Sequence, residues 1–497
     1  MFPANKDEFI KLAQEANLIS VYQEYSAVME TPLSLFLKLK KEQYAFLLES
    51  VEGGIKPGRY SFIGVEPALI FQAKDGKVTI EEKGNKVEYR CSDPLEELEK
   101  LFHRFRPLMI SGLPAFHGGA VGYLGYDMVR YWEQLPPRDG KDTEFPDCFF
   151  IFTRSLVVFD HVRQTISIVV NVSVGNSPEE DYYTAVEETK KISAQINKQI
   201  SNFGVTGQEV ISGSRDYIYS ITQEAFCNGV KKAKEYIKCG DIFQVVLSRR
   251  TEFTLSVDPL VVYCTLRHIN PSPYMFFLSF GDICLVGSSP ELLVKVEEEK
   301  VELRPIAGTR PRGNSCVEDA GLAQELLADE KERAEHLMLV DLGRNDLGRV
   351  CTYGSVKVED YMHIEYYSHV MHIVSQLVGH LSQELTCFDV IRAAFPAGTV
   401  SGAPKIRAME IIDELEPAGR GPYAGAVGYF GFSGNMDTCI TIRTLFTKGN
   451  RAFVQAGAGI VADSDPDMEY QEVCYKAQAL LRAVEMAERG ELRVAGN

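Results

Sequence analysis

Eleven cysteines are scattered singly along this 497-residue chain, and no two stand in a C-x-x-C spacing. An odd, unclustered set excludes a disulfide framework and predicts reduced thiols in a cytoplasmic protein. Positive charge is also scarce. Lys and Arg number 52 against 69 Asp and Glu, a net charge of −17. Such a chain is unsuited to the phosphate backbone of nucleic acids. It also repels anionic ligands unless positive charge or a metal is concentrated locally. No apolar run reaches membrane-spanning length. The opening MFPANKDEFIKLAQEANLI has mixed charge and lacks a signal-peptide hydrophobic region. Neither G-x-x-x-x-G-K-[ST] nor a strand-linked G-x-G-x-x-G with a downstream acid occurs, so mononucleotide and dinucleotide binding have no support.

What is present is an ordinary globular composition, 45% hydrophobic and 24% charged, in a chain long enough for two or three domains. Charged, helix-periodic sequence from Pro178 to Gln199 gives way to the Gly/Ser-rich SNFGVTGQEVISGSRD, read as a linker over 201–216. The boundaries expected are 1–200, 201–216 and 217–490. The first part alternates β-branched and aromatic runs with turns, KDGK and KGNK being hairpin signals. The last part mixes strands with helices, among them LAQELLADEKERAEHLMLV, followed by a turn-like LGRNDLGRV, and PDMEYQEVCYKAQALLRAVEMAERG. Strands joined by hairpins, with helices grouped apart, predict an α+β fold: large antiparallel β-sheets packed as a sandwich with helices outside. GGAVGYLGYD (118–127) echoes AGAVGYFGFS (424–433). Two similar core strands explain this more simply than a repeat, because no period of 20–50 residues accompanies it.

Two glutamate pairs stand out, Glu332/Glu335 and Glu469/Glu472. Each is spaced by three residues, so a helix presents both carboxylates on one face. Two such faces meeting in a cleft would make an oxygen-only site of the kind Mg²⁺ prefers, although a single E-x-x-E is more often a solvated helix face. Asp465 and Pro466 open the second helix beside the Gly-rich GAGIVA segment, where backbone N–H groups can receive an anion. Arg443 lies in the apolar CITIRTLF; a structural salt bridge and a bidentate carboxylate clamp fit it equally well. Glu291, at the start of an apolar strand, could be a surface acid or a general acid with a raised pKa. His372, on an apolar face, is the usual place for a core histidine. Gly398, Thr399 and Lys405 make a Gly-rich loop before a helix.

In order along the chain, DIFQVVLSRR, SSPELL, RPIAGTRPRG, ERAEHLMLVDLGRND, HIVSQLVG, FPAGTVSGAPK, GYFGF, TIRT and QAGAGIVADSDPDMEYQE resemble the chorismate-utilising enzymes over roughly residues 215–490. Residues 20–165 resemble that family's regulatory part. Within the family the resemblance is to the large (aminase, component I) subunits of anthranilate synthases. Ala307 stands where aminodeoxychorismate synthases typically carry a nucleophilic lysine. Gln244 stands where isochorismate and salicylate synthases carry a lysine base. Alanine cannot attack and glutamine is no base at neutral pH, whereas ammonia needs neither.

The resemblance implies chorismate as substrate, ammonia as nucleophile, anthranilate and pyruvate as products, and a place at the first step of tryptophan biosynthesis. It implies Mg²⁺ held by Glu335 and Glu472 with Glu332 and Glu469 alongside. Arg443, Tyr429 and the backbone of Gly457, Ala458 and Gly459 would hold a carboxylate, Ala307, Gly308, Thr309 and Thr399 would contact substrate, Glu291 would protonate the leaving hydroxyl, and His372 would assist pyruvate elimination. Glu49, Ser50, Pro273, Tyr274, Met275, Phe276 and Cys439 resemble a feedback pocket for L-tryptophan. A glutaminase elbow, G-x-C-x-G, is missing; Cys239 in IKCGDIF comes nearest. The chain therefore reads as one subunit that needs a separate glutamine amidotransferase or uses free ammonia; the resemblance implies the former, component II, in a heterotetramer. The nearest rival is an aminodeoxychorismate synthase; a tryptophan-binding module without catalysis is the other.

Overall fold

The computed structural model describes residues 1–40, 43–51, 58–110, 112–137, 143–198, 216–367 and 370–491. The expected linker, 201–216, lies outside the described residues except for Asp216. The first half supplies strands β1 (Leu18–Ser26), β2 (Tyr44–Glu49), β3 (Tyr60–Val65), β4 (Pro67–Lys74), β5 (Lys77–Glu82), β6 (Asn85–Arg90), β7 (Gly119–Leu124), β8 (Cys148–Thr153), β9 (Ser155–Asp160) and β10 (Thr165–Ser173), with helices α1 (Lys6–Leu12), α2 (Pro32–Leu39), α3 (Pro94–Phe102) and α4 (Pro178–Ile196). The second half supplies β11 (Ile218–Tyr219), β12 (Gln244–Thr254), β13 (Tyr274–Phe280), β14 (Ile283–Ser289), β15 (Leu292–Glu297), β16 (Lys300–Leu303), β17 (Ile306–Pro311), β18 (Lys357–Tyr366), β19 (Val370–His380), β20 (Gly402–Ala403), β21 (Ala426–Gly431), β22 (Met436–Ile440), β23 (Thr444–Lys448) and β24 (Arg451–Ile460). Its helices are α5 (Gln223–Cys239), α6 (Pro259–Ile269), α7 (Cys316–Ala328), α8 (Glu330–Gly348), α9 (Cys387–Ala394), α10 (Lys405–Leu415) and α11 (Pro466–Glu488).

The described strands form two 12-stranded antiparallel sheets, the sandwich expected from the strand–turn pattern. The order of one is β1-β10-β9-β3-β2-β13-β14-β23-β24-β12-β11, and of the other β17-β19-β16-β15-β22-β21-β7-β8-β4-β5-β6, with β20 and β18 as side branches. Each sheet draws strands from both halves, so the boundary near residue 200 does not divide the sheets. The hairpin signals hold: Asp75–Gly76 and Lys83–Gly84 all take positive φ, as two-residue turns between antiparallel strands require.

One core lies between the sheets, around Phe46, Phe71, Phe150, Phe276 and Phe430. A second lies between the first sheet and its helices, around Phe36, Phe277, Val286, Leu247 and Leu480. Phe276 and Phe277 are consecutive and enter different cores, as the alternation of a strand requires. These rings pack densely because each removes a large apolar area from water, worth about 1.5–3 kcal/mol per side chain.

Three readings change. The segment expected as one helix is two, divided at Asp329. That residue ends α7 with extended backbone and caps α8 by accepting the N–H groups of Lys331 and Glu332. The expected turn LGRNDLG is helical to Gly348, because Leu339, Val340, Gly343 and Leu347 continue one buried face at helical spacing. The sequence echo is also more than two similar strands. β7 and β21 are direct antiparallel partners, Gly122 opposite Gly428. From that pair outward the orders β7-β8-β4-β5-β6 and β21-β22-β15-β16-β19 correspond. In the other sheet β2 meets β13, and β2-β3-β9-β10-β1 corresponds to β13-β14-β23-β24-β12. Helices follow suit: α4 lies on β10 against α1 and α2, as α11 lies on β24 against α5 and α6. The fold is a duplicated unit about a pseudo-two-fold axis. Its repeat spans roughly half the chain and escapes a search for short periods.

Candidate active site

The candidate site of the second half lies where β12, β24 and α11 pack together and α8 packs on β17 and β19. The end of β12 sets its floor. Gln244 is buried and donates from Nε2 to Glu335 Oε1 at 3.0 Å, while its Oε1 has no partner. Gly459 on β24 makes room for this amide, since a Cβ there would come within 2.4 Å of Nε2. Two residues earlier, a Cβ on Gly457 would meet the Tyr423 hydroxyl at 2.7 Å. Ala458, between them, points into the helix-side core.

The cationic side is built from Arg443 and Lys476. Arg443 sits between β22 and β23 with φ of 49°, a left-handed conformation costly for arginine. Its carbonyl accepts the Ser288 N–H at 3.1 Å. Its guanidinium makes no ion pair among the described residues, and burial lowers its pKa. A charge held in this way lacks an anion of its own within the protein and suits a carboxylate ligand. Lys476 Nζ donates to the Gly457 carbonyl at 3.0 Å and pairs with Glu472 at 2.6 Å. Behind this face, Arg420 is fully buried. It donates to both oxygens of Glu416 and to the carbonyls of Val246 and Val400, and its guanidinium lies over the rings of Tyr126 and Tyr423. Glu416 in turn accepts from Ser248.

Two proton-handling groups face the cleft in opposite states. Glu291 opens β15 in a small chamber with Leu292, Pro305, Leu339, Leu342 and Ile440. Burial pushes its pKa up to about 7, against opposing pulls from Thr399 and Lys476. Thr399 is close enough to exert that pull, though its hydroxyl lacks hydrogen-bond geometry to any partner. Near neutral pH this carboxyl can therefore hold a proton. His372 is treated the other way. A bulge at Gly308, φ of 70°, turns the Gly308 carbonyl onto His372 Nδ1 at 2.8 Å, with Thr309 Oγ1 at 3.1 Å. A carbonyl only accepts, so Nδ1 carries the proton and Nε2 keeps its lone pair. Burial lowers the pKa and keeps the ring neutral.

The four glutamates lie within electrostatic reach of one another without forming a cage. Burial raises the pKa of Glu335, and Glu332 and Glu472 add to the rise. Burial also raises that of Glu469, with Glu472 contributing. Glu332 is held by Arg310 at 3.2 Å, which also binds Glu325 and Asp329. Among the described residues no group of three or more His, Cys, Asp or Glu is gathered to hold a metal ion. Lys405 is structural, tied to Asp346 at 3.0 Å and to the Ala394 carbonyl.

A separate cavity of about 110 Å³ opens between the sheets, where β2, β13, β21 and β22 meet near the pseudo-two-fold. It gathers Glu49, Ser50, Pro273, Tyr274, Met275, Phe276 and Cys439, which are far apart in sequence. Glu49 is buried against Arg267 Nε at 3.1 Å and the Tyr263 hydroxyl. Tyr274 donates to Asp437 at 3.0 Å, and burial lifts the Asp437 pKa to about 6.

A family model described as chorismate binding enzyme matches residues 19–482. The chain belongs to the chorismate-binding enzyme family. It is 48% identical to anthranilate synthase component 1 of Acetivibrio thermocellus, over 99% of this chain and 100% of that one. It is 47% identical to anthranilate synthase component 1 of Aquifex aeolicus, over 98% of each. The crystal structure of anthranilate synthase component I from Streptococcus pneumoniae superposes with a TM-score of 0.72 at 37% identity, covering 92% of this chain and 98% of that chain. The menaquinone-specific isochorismate synthase of Escherichia coli, 18% identical, shares the fold with a TM-score of 0.72 over 96% of this chain and 98% of that chain.

For a chorismate-binding enzyme the placement of one expected residue needs correction. Tyr429 is not beside Arg443. It lies mid-strand in β21 with its ring between the sheets, stacked on Phe116 at 4.3 Å and lining the Tyr274 cavity. The tyrosine by the clamp is Tyr423, in the turn before β21, where it meets Gly457 and lies within the field of Arg443. No local pattern distinguishes the two. Lys476 had a signal that went unread: it stands four residues after Glu472, so one helix face carries both. Pairwise contacts and fields link most of the expected residues: Gln244 meets Glu335 and Gly459, Gly308 approaches Glu332, Arg443 feels Glu472 and Tyr423, His372 feels Arg443 and Lys476, and Glu291 feels Thr399 and Lys476.

Proposed function

We propose that this cytoplasmic enzyme is the component that makes anthranilate from chorismate and ammonia, with a separate glutamine-hydrolysing subunit supplying the ammonia. What supports this reading is a carboxyl poised near neutrality and a neutral imidazole with its Nε2 free, both within the field of Lys476. Arg443 binds one substrate carboxylate, and the Tyr423 hydroxyl and the β24 backbone shape its seat. Ammonia adds to the ring while Glu291 gives its proton to the departing hydroxyl, which leaves as water. His372 Nε2 then takes a ring proton, the enolpyruvyl carbon–oxygen bond breaks, and pyruvate departs from the aromatic product. Neither Ala307 nor Gln244 offers a competing nucleophile or base, so attack by a protein amine or activated water is disfavoured.

The glutamates offer only hard oxygen donors, and their mutual repulsion favours a cation, which fits Mg²⁺. Glu335 and Glu472, aided by Glu332 and Glu469, would hold it, and when bound it would neutralise the substrate's ring carboxylate. The cavity around Glu49, Ser50 and Tyr274 suits L-tryptophan. Glu49 and Asp437 offer acceptors for an ammonium group, and Met275, Phe276 and Tyr429 offer apolar surface for an indole.

The test is product formation from chorismate, Mg²⁺ and an ammonium salt, followed by anthranilate fluorescence, with and without tryptophan. Anthranilate suppressed by tryptophan supports both halves of the proposal. Accumulation of an amino-chorismate with no anthranilate in the wild-type chain would overturn the assigned product.

A further inference from the structure

His372 is anchored only at Nδ1, by the Gly308 carbonyl with the Thr309 hydroxyl beside it, and contacts at one end leave an imidazole free to swing. The second constraint is Tyr367. Its ring centroid lies 5.5 Å from that of His372 at an interplanar angle of 65°, an edge-to-face contact. Tyr367 is buried and is itself held at three points. Its N–H donates to the Val370 carbonyl at 2.8 Å, its carbonyl accepts from Arg312 at 2.6 Å, and its hydroxyl donates to Glu365 Oε2 at 2.9 Å. Glu365 stands directly across from His372 in the β18–β19 pairing. Its carboxylate nevertheless turns to Tyr367, to His363 Nε2 at 3.1 Å and to Arg304, not to the imidazole. Arg304 in turn lines the chamber of Glu291. One half-buried carboxylate thus links the neighbourhoods of both proton-handling groups.

We infer that Glu365 is a positioning residue for His372, acting through Tyr367, and that it governs pyruvate elimination more than ammonia addition. This rests on the proposed role of His372. A charged acceptor makes a stronger and more directional hydrogen bond than a neutral one, so Glu365 fixes the phenol and the phenol fixes the imidazole. Arg304 and His363 offset the cost of burying that charge, and the Glu365 pKa stays below the usual value despite burial. A group that served only to stabilise the fold would lower both steps together. A group that aims His372 divides them.

The experiment measures amino-chorismate and anthranilate separately, by chromatography, for the full chain with chorismate, Mg²⁺ and ammonium. Glu365→Gln, Tyr367→Phe and His372→Ala are compared with the wild type. Glu365→Gln is expected to lower anthranilate formation at least about tenfold with the KM for chorismate changed less than about threefold. Amino-chorismate should become its main product. Tyr367→Phe keeps the ring and its packing, and should show the same imbalance to a smaller degree. Amino-chorismate accumulation in His372→Ala but in neither of the other variants would overturn the positioning role while leaving His372 as the base. Absence of accumulation in His372→Ala would overturn the base assignment and this inference with it. An equal loss of both steps in Glu365→Gln and Tyr367→Phe would reduce Glu365 to a structural part.

Discussion

The two halves of this molecule share a strand order, yet the candidate site residues gather in the second, and register shows what stands at the matching place in the first. In the first half the β9–β10 hairpin ends with the pair Asp160–Thr165, and in the second the β23–β24 hairpin ends with Lys448–Arg451. Counting along the strand from these pairs, Asn171 occupies the place of Gly457. Each faces a serine on the neighbouring strand, Ser20 for Asn171 and Ser248 for Gly457. Asn171 accepts from Ser20 at 2.7 Å, donates to the His117 carbonyl at 3.0 Å and packs onto Gly118. Its amide fills the space that Gly457 leaves for Tyr423. Arginines occupy matching joints as well, Arg154 between β8 and β9 and Arg443 between β22 and β23. Arg154 is exposed, whereas Arg443 is enclosed and strained. The second half also inserts β17, α7, α8 and β18 between β16 and β19, whose first-half counterparts β5 and β6 follow one another directly. The comparison teaches that the sheet is a scaffold common to both halves. Chemistry came from removing one side chain, turning one arginine inward and adding one insertion.

The largest effect that sharpens this contrast comes from the paired arginines. Arg443→Gln should lower kcat/KM for chorismate by about 10²–10³-fold, the scale of removing a charged contact from a water-poor site. Arg154→Gln should leave it unchanged within about twofold, since exposed charges contribute little. Equal losses in steady-state kinetics would break the comparison.

Next in size, Gly457→Asn installs the first half's side chain in the cleft. A Cβ there is already too close to Tyr423 and to the Leu247 carbonyl at 3.0 Å. We expect turnover to fall roughly tenfold to a hundredfold through misplacement of the clamp, and about 1–3 kcal/mol of stability to be lost by overpacking. Chemical denaturation alongside kinetics separates the two, and a fully active variant would refute the steric account.

The pH profile gives a smaller, graded effect. Glu291 must be protonated to act as an acid, so kcat/KM, corrected for free ammonia, should fall about tenfold per pH unit above roughly 7. His372 must be neutral. Its lowered pKa places the acid-side loss below the usual histidine range. No residue of the first half should contribute to either limb. Glu291→Gln should abolish the alkaline limb together with most of the activity.

Least of all in turnover, Ser50→Phe should leave anthranilate formation near wild type while abolishing tryptophan inhibition, because the residue lines the cavity between the halves and not the cleft. Unchanged inhibition would remove Ser50 from the inhibitor site.

The site was legible where chemistry is tied to local pattern. The E-x-x-E pairs and the Gly-rich strand before Asp465 declare themselves through spacing of three or four on a helix or two on a strand; Arg443 stands out in the apolar run CITIRTLF, which the fold breaks into β22 and β23 at that residue. The hairpins declared themselves through Asp75–Gly76 and Lys83–Gly84, since those turns need left-handed backbone. Tyr423 and Tyr429 illustrate the reverse. Both are tyrosines near Gly-rich core strands, and only the path of β21 decides which ring meets Arg443. The helix break at Asp329 was missed because sequence on both sides is equally helix-prone, and the break is set by capping geometry.

By itself, then, the sequence determined the family, the sandwich of hairpin-linked strands, the residue types proposed as acid, base, metal-holding carboxylates and cationic clamp, and the want of a lysine at 244 and 307. Each of these depends on side-chain identity or short-range periodicity, which a chain carries in order. Only the tertiary structure decided that the two halves are related by duplication, that Asn171 closes one half and Gly457 opens the other, and that Glu365 reaches His372 through Tyr367. The duplication and its consequences depend on pairing between strands as distant as β7 and β21, fixed by burying two cores at once, and the Glu365 link depends on how the β18–β19 hairpin turns its side chains.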